Sequence, residues 1–180
     1  NGSAAEPYTI NSLEDLKEFR DKVNAGDDYS GKTVVLNADI TMDSESWTPI
    51  GDGSRSGSGA TGDSFSGIFD GNGKKITGLT ISGNAGADQA MGLFGVVKGG
   101  TVKDLTLEGV NINLSGNECA GGAIGLMVGS ATADTIDVSG TVSAKRGNGG
   151  IAGRMTIEGT ISNCINNAAI IASGGANVGG

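Results

Sequence analysis

Phe65-Ser-Gly-Ile-Phe-Asp-Gly-Asn-Gly-Lys-Lys-Ile-Thr-Gly-Leu-Thr-Ile-Ser-Gly83 decides the fold, because the chain repeats its plan. A Gly67-Ile68-Phe69 step leads into the turn Asp70-Gly71-Asn72-Gly73, then into the alternating run Ile76 to Ile81. About 25 residues later the order returns as Gly92-Leu93-Phe94-Gly95, the turn Lys98-Gly99-Gly100 and the run Val102 to Leu107. Two degraded copies follow, with Gly122-Ala123-Ile124-Gly125 and Gly150-Ile151-Ala152-Gly153 in the glycine step, which starts again at Gly179-Gly180. With Leu79 as marker, the equivalent positions are Leu105, Ile136 and Cys164, spaced by about 26, 31 and 28 residues. Ile81 then matches Leu107 and Val138, and Gly109 matches Gly140.

A period of 20 to 50 residues indicates a solenoid. Helical repeats are excluded, since the copies lack a 3.6-residue apolar pattern and are rich in glycine and β-branched residues. Thirty-four of 180 residues are glycine, against about 7% in average proteins. Glycine is costly inside strands and helices, so this load belongs at recurring turns and close backbone approaches. The reading is an all-β fold: a parallel β-helix, whose coils stack strands about 4.8 Å apart. Inward residues then form columns such as Leu79/Leu105/Ile136/Cys164.

Upstream, Tyr8-Thr9-Ile10 reads as a strand and Asn11 to Val23 as a helix with Leu13, Leu16, Phe19 and Val23 on one face. Asn11 or Ser12 caps it, Glu14 and Asp15 suit its positive first turn, and Asn24-Ala25-Gly26 ends it. This short helix stands where an open solenoid needs an N-terminal cap. Residues 1–32 are thus the arm and capping helix, and 33–180 the coils. Thr33–Leu36 and Asp39–Met42 read as strands, Trp47 as a core anchor, and the Gly/Ser-rich stretch Asp52–Ser64 as a surface loop. The chain opens at Asn1 and stops in mid-repeat at Gly180, so a removed leader and further coils or domains are expected.

The strings Trp47-Thr-Pro-Ile-Gly51, Phe65 to Gly73, Ile76 to Ile81, Gly92-Leu-Phe-Gly95 and Gly99-Gly-Thr-Val-Lys-Asp-Leu105 resemble those of bacterial surface proteins with GLUG-motif repeats. Gly159 to Ala168 is similar to their degenerate Ile-Ser-Asn-Cys repeats, and related repeats occur in the non-catalytic N-terminal region of IgA-specific metallopeptidases. The resemblance covers about Tyr8 to Gly180 and departs at Ala131–Val142, where Asp134 and Thr135 replace the usual Ser-Asn. It implies a right-handed β-helix on a secreted or cell-surface bacterial protein, acting as spacer or adhesin, with no catalytic residues.

Charge and residue types narrow the chemistry. The net charge is −8 and no basic run exists, which argues against nucleic-acid and anionic-membrane partners. No 18-residue apolar run is present, so no membrane span is expected. Histidine is absent, which removes Ser-His-Asp and Cys-His catalysis and the His-Glu-x-x-His zinc site. Carboxylates remain: Asp104, Glu108, Asp134 and Asp137, with Lys103 nearby, could serve a polysaccharide lyase or hydrolase if they converged on one cleft. Their alternation with inward apolar residues suits ordinary outward positions better. Asp70-Gly71-Asn72-Gly73 looks like half a calcium loop, but Lys74 and Lys75 follow where ligands are needed, so it reads as a corner. Regular Thr-x-Thr columns are missing. Cys119 and Cys164 could pair or stand as separate buried thiols; the register favours separate thiols. The sequence thus gives no catalytic, cofactor or metal residue. It points to a β-helix module that presents Asp52–Ser64 and its outward faces, with host or dietary glycans or proteins as partners. A carbohydrate-active enzyme is the competing reading.

Overall fold

The computed structural model describes residues 2–116, 119–174 and 178–179. Asn1 and Gly180, the outer bounds of the expected cap and coil segments, lie outside the described residues. The chain is an all-β solenoid of about five turns with parallel strands and one short helix.

At the start, β1 (Tyr8–Ile10) leads into α1 (Leu13–Val23). Ser12 is the N-cap, its hydroxyl accepting the Asp15 N–H at 3.1 Å, and Leu16, Phe19 and Val23 are buried. The first coil holds β2 (Thr33–Leu36) and β3 (Ile40–Thr41), then the antiparallel hairpin β4 (Ser54–Ser56) and β5 (Gly59–Thr61). The second has β6 (Ile68–Thr77), β7 (Thr80–Gly83) and β8 (Phe94–Lys98). The third has β9 (Thr101–Leu114), β10 (Ala120–Gly121) and β11 (Ile124–Val128), and the fourth β12 (Thr132–Ala144), β13 (Asn148–Gly149) and β14 (Ala152–Met155). Finally come β15 (Thr160–Ser162), β16 (Ile165–Ala172) and β17 (Val178–Gly179).

Equivalent strands stack in register. Tyr8, Val34, Phe69, Val102, Ala133 and Ile161 follow one another along the large sheet. β10, β13 and β17 form a second sheet, and β8, β11 and β14 a third. The glycine steps coincide, Phe94 lying on Ile124 and Ile124 on Ala152. Each long strand turns twice. The first corner falls at Asn72, Asp104, Thr135 and Asn163, all left-handed with φ between 52° and 54°. The second falls at Gly78, Gly109 and Gly140, also at positive φ.

These corners correct the register read from Leu79. Ile76, not Leu79, is level with Ile40, Leu107 and Val138, and Ile81 is level with Ile112 and Val142. Leu105 does pair with Ile136. The cause is local: Gly71-Asn72-Gly73 stands opposite the single Asp104, so the second coil spends two extra residues at its first corner. Asp70-Gly71-Asn72-Gly73 is that corner. The Asp70 carboxylate accepts the Asn72 N–H at 2.8 Å, and the Asn72 amide reaches the Leu36 carbonyl at 3.4 Å.

The interior is apolar and widest near α1. Phe19 of the helix packs its ring 5.0 Å from Tyr29, 5.7 Å from Phe65 and 6.0 Å from Phe69, and Phe94 continues the cluster at 5.2 Å from Phe69. The helix thus closes the end of the core, while the three-residue β1 is the outermost strand of the sheet. Trp47 is buried, its indole N–H donating to the Leu93 carbonyl at 3.1 Å, with the Arg20 guanidinium 4.7 Å from the ring centre. Stretch 52–64, expected as an irregular loop, is instead the β4–β5 hairpin. Cys119 and Cys164 are not joined in a disulfide.

The glycine steps are tight because backbones meet there. A Cβ at Gly122 would lie 2.4 Å from the Gly150 carbonyl oxygen, and one at Gly125 2.3 Å from the Met91 nitrogen. Gly122→Ala and Gly125→Ala should each lower stability by about 1–3 kcal/mol or more, whereas Gly86→Ala, with open space around it, should change it by less than about 0.5 kcal/mol. Thr135 is β-branched in a left-handed corner, an unfavourable combination, so Thr135→Asn should stabilise by about 1 kcal/mol. Urea denaturation of the four variants checks all three expectations.

Candidate functional site

The outward side chains of the first arm line up as strictly as the inward ones. Asp70, Lys103, Asp134 and Ser162 form one column. Lys103 Nζ lies 2.6 Å from Asp70 and 2.7 Å from Asp104, and these hydrogen bonds, Asp104's the larger, hold its pKa above the ordinary lysine value. Asp134 accepts the Ser162 hydroxyl at 2.7 Å and the Asn163 amide at 2.8 Å, which lowers its pKa. Glu108 meets Lys75 at 3.3 Å on the neighbouring arm. Asp104 and Asp137 share a shallow depression of about 310 Å³ with Asp70, whereas Lys103, Glu108 and Asp134 do not line it. The structure thus gathers part of the expected set and spreads the rest along the ladder. Among the described residues, no group of three His, Cys, Asp or Glu side chains is placed to hold a metal ion.

Beside that column runs another: Thr33, Ile68, Thr101, Thr132 and Thr160. Its neighbour two residues on is the charged column rather than a second row of threonine.

The other concave region is built by the hairpin. Arg55 pairs with Asp88, and its backbone N–H donates to the Asp88 carbonyl at 2.7 Å, so β4 is tied to the segment ahead of β8. Ala60 of β5 packs on Ala90, Val96, Leu126 and Val128, a small apolar cluster outside the coil interior. A cleft of about 600 Å³ lies between the hairpin and residues 154–158. Leu126 and Val128 line it, with Arg55 and Arg154 contributing guanidinium groups and Met155 and Ile157 an aliphatic wall. Met155 and Ile157 are exposed, and burial raises the pKa of the nearby Cys119 thiol, which interacts with Arg154. Sequence reasoning found the hairpin stretch but not Arg154 or Ile157, which lie about a hundred residues further along. The outward column Val96–Leu126–Arg154 was the available signal: two outward apolar residues need a cover.

Asp52, at the base of the hairpin, has its pKa raised, by burial first and by repulsion from Asp63 second.

Comparison with known proteins gives these relatives. No family model matches the chain. Halomucin of Haloquadratum walsbyi is 34% identical over 162 residues, which is 90% of this chain and 2% of halomucin. A protein of Evansella cellulosilytica named as a Gly-rich membrane protein is 30% identical over 125 residues, 68% of this chain and 13% of that one. The chain therefore spans a small fraction of both relatives. A solved Bacteroides ovatus structure named as an immunoglobulin A1 protease aligns over 99% of this chain and 85% of its own, with 14% identity and a TM-score of 0.45.

Two carboxylates should report on pH with opposite sign. Asp134 has a lowered folded pKa, so its contribution is present above about pH 3.8 and lost as pH falls through the folded value. Asp52 has a raised one, so its contribution is present below about pH 3.8 and lost as pH rises. Asp134→Asn should therefore lower Tm at pH 7 and converge on wild type in acid. Asp52→Asn should raise Tm at pH 7 and converge likewise. Thermal melts between pH 2.5 and 7.5 provide the measurement.

Proposed function

We propose that this chain is a non-catalytic module of the GLUG-repeat kind on a secreted or cell-surface protein. Residues 1–32 act as the cap and 33–180 as coils that space or present an adhesive surface. One observation carries the reading: Asp70, Glu108 and Asp134 are engaged across coils by Lys103, by Lys75 and by Ser162 and Asn163, and Asp104 is held by Lys103 of its own strand. Charges used this way set the stacking of a rod, whereas a general acid must be free to exchange its proton with substrate. The relatives support a module within long chains, since matches covering most of this chain occupy 2% and 13% of theirs. The relative named as a membrane protein supports an envelope location. Among the described residues no helix is long and apolar enough to cross a membrane. The partners are host or dietary glycans or proteins, met by the hairpin and the outward faces, together with further domains of the same chain.

The competing reading, a polysaccharide lyase or hydrolase, draws on the depression that holds Asp70, Asp104 and Asp137. Purified protein should bind members of a glycan and host-protein array and leave polysaccharides intact. Polysaccharide cleavage that disappears in Asp104→Ala or Asp134→Ala would establish the enzyme reading instead.

A further inference from the structure

The cleft under the hairpin combines groups that the coil itself does not need. Ile157 is fully exposed, whereas Met155 continues the inward column of Val97 and Met127. Arg55 is held by Asp88 and donates to the Gly57 carbonyl at 3.4 Å, yet its Nε atom is buried without a hydrogen-bond partner. Arg154 stands on the outward column that continues from Leu126, and it interacts with the Cys119 thiol. In a chain of net charge −8, Arg154 places a cation beside an aliphatic lining.

We propose that this cleft binds an extended peptide carrying a carboxylate next to an aliphatic side chain. Arg154 receives the carboxylate, and Leu126, Val128 and Ile157 receive the aliphatic group. The proposal rests on the binding-module reading above and assigns its ligand class. A peptide fits better than a saccharide because the lining is branched and aliphatic, with no aromatic ring to lie against the flat C–H face of a pyranose. Glu158 lines the same cleft and is exposed. It repels a second negative charge, which favours a single carboxylate over a polyanion such as a polyuronate. Guanidinium–carboxylate hydrogen bonds are about twice as strong as neutral ones, so the charge carries the selectivity and the aliphatic contact adds affinity.

The test uses the whole chain on an array of hexapeptides with one Asp or Glu among Leu and Ile. The same peptides with Asn or Gln, poly-acidic hexapeptides and oligogalacturonate are spotted beside them. Wild type should retain the single-acid peptides over their amide counterparts. Arg154→Gln should weaken that binding about tenfold or more, Arg154→Lys should restore part of it, and Ile157→Ser should weaken it without changing the preference for acid. Melting curves confirm that each variant is folded. Equal retention of the amide peptides, or retention of oligogalacturonate alone, would overturn the proposal. Binding on the arrays that ignores both Arg154→Gln and Ile157→Ser would overturn it while leaving the module reading intact. No retention on these or on the broader glycan and protein arrays would remove both.

Discussion

The structure depends on how closely two backbones can approach at the bend between the two short sheets. A Cβ at Gly121 would sit 2.0 Å from the Ile124 carbonyl oxygen, and the equivalent atom at Gly149 2.1 Å from that of Ala152. No side chain fits such a gap, so the third and fourth coils close there only because the sequence supplies glycine. Because the bend recurs at the same point of each turn, it fixes where every coil begins its next arm. Inward columns, outward ladder and hairpin docking all inherit that registration. The high glycine content is a cost in local propensity that closure of the solenoid offsets.

The outward charges work within this frame rather than creating it. Exposed ion pairs are worth little, typically about 0–1 kcal/mol, far less than the burial of an aromatic ring, whose truncation to alanine costs about 3–5 kcal/mol. Lys103 between Asp70 and Asp104 therefore does not hold the coils together. It discriminates between registers, since a one-residue slip would move each charge to the opposite face of the strand.

Much of the fold was legible because its determinants are local. The capping helix follows from Ser12, the Leu16–Phe19–Val23 stripe and the glycine after Asn24. The glycine steps follow from composition alone, and they stack where equivalence placed them. Leu79 misled because its corner holds three residues where the next coil holds one, and an apolar residue one corner away looks the same in a linear alignment. The hairpin was hidden for another reason. Ser54 to Thr61 has no apolar alternation, and its pairing is set by attachment to Asp88 and by cover over Val96 and Leu126. The same holds for the cleft, whose two arginines are joined only by folding.

Along the axis the interior columns thin out. Phe69 gives way to Val102 and then Ala133, and Phe94 to Ile124 and then Ala152, so in these two columns the hydrocarbon shrinks from the second coil to the fourth. In a stack where each repeat leans on its neighbours, local opening is easiest where the buried contacts are fewest. Tension applied along such a rod would be yielded first by its alanine end, coil by coil, while the aromatic end beside the helix stayed wound. The taper gives the solenoid a mechanical polarity: one end unspools under load and the other holds as an anchor.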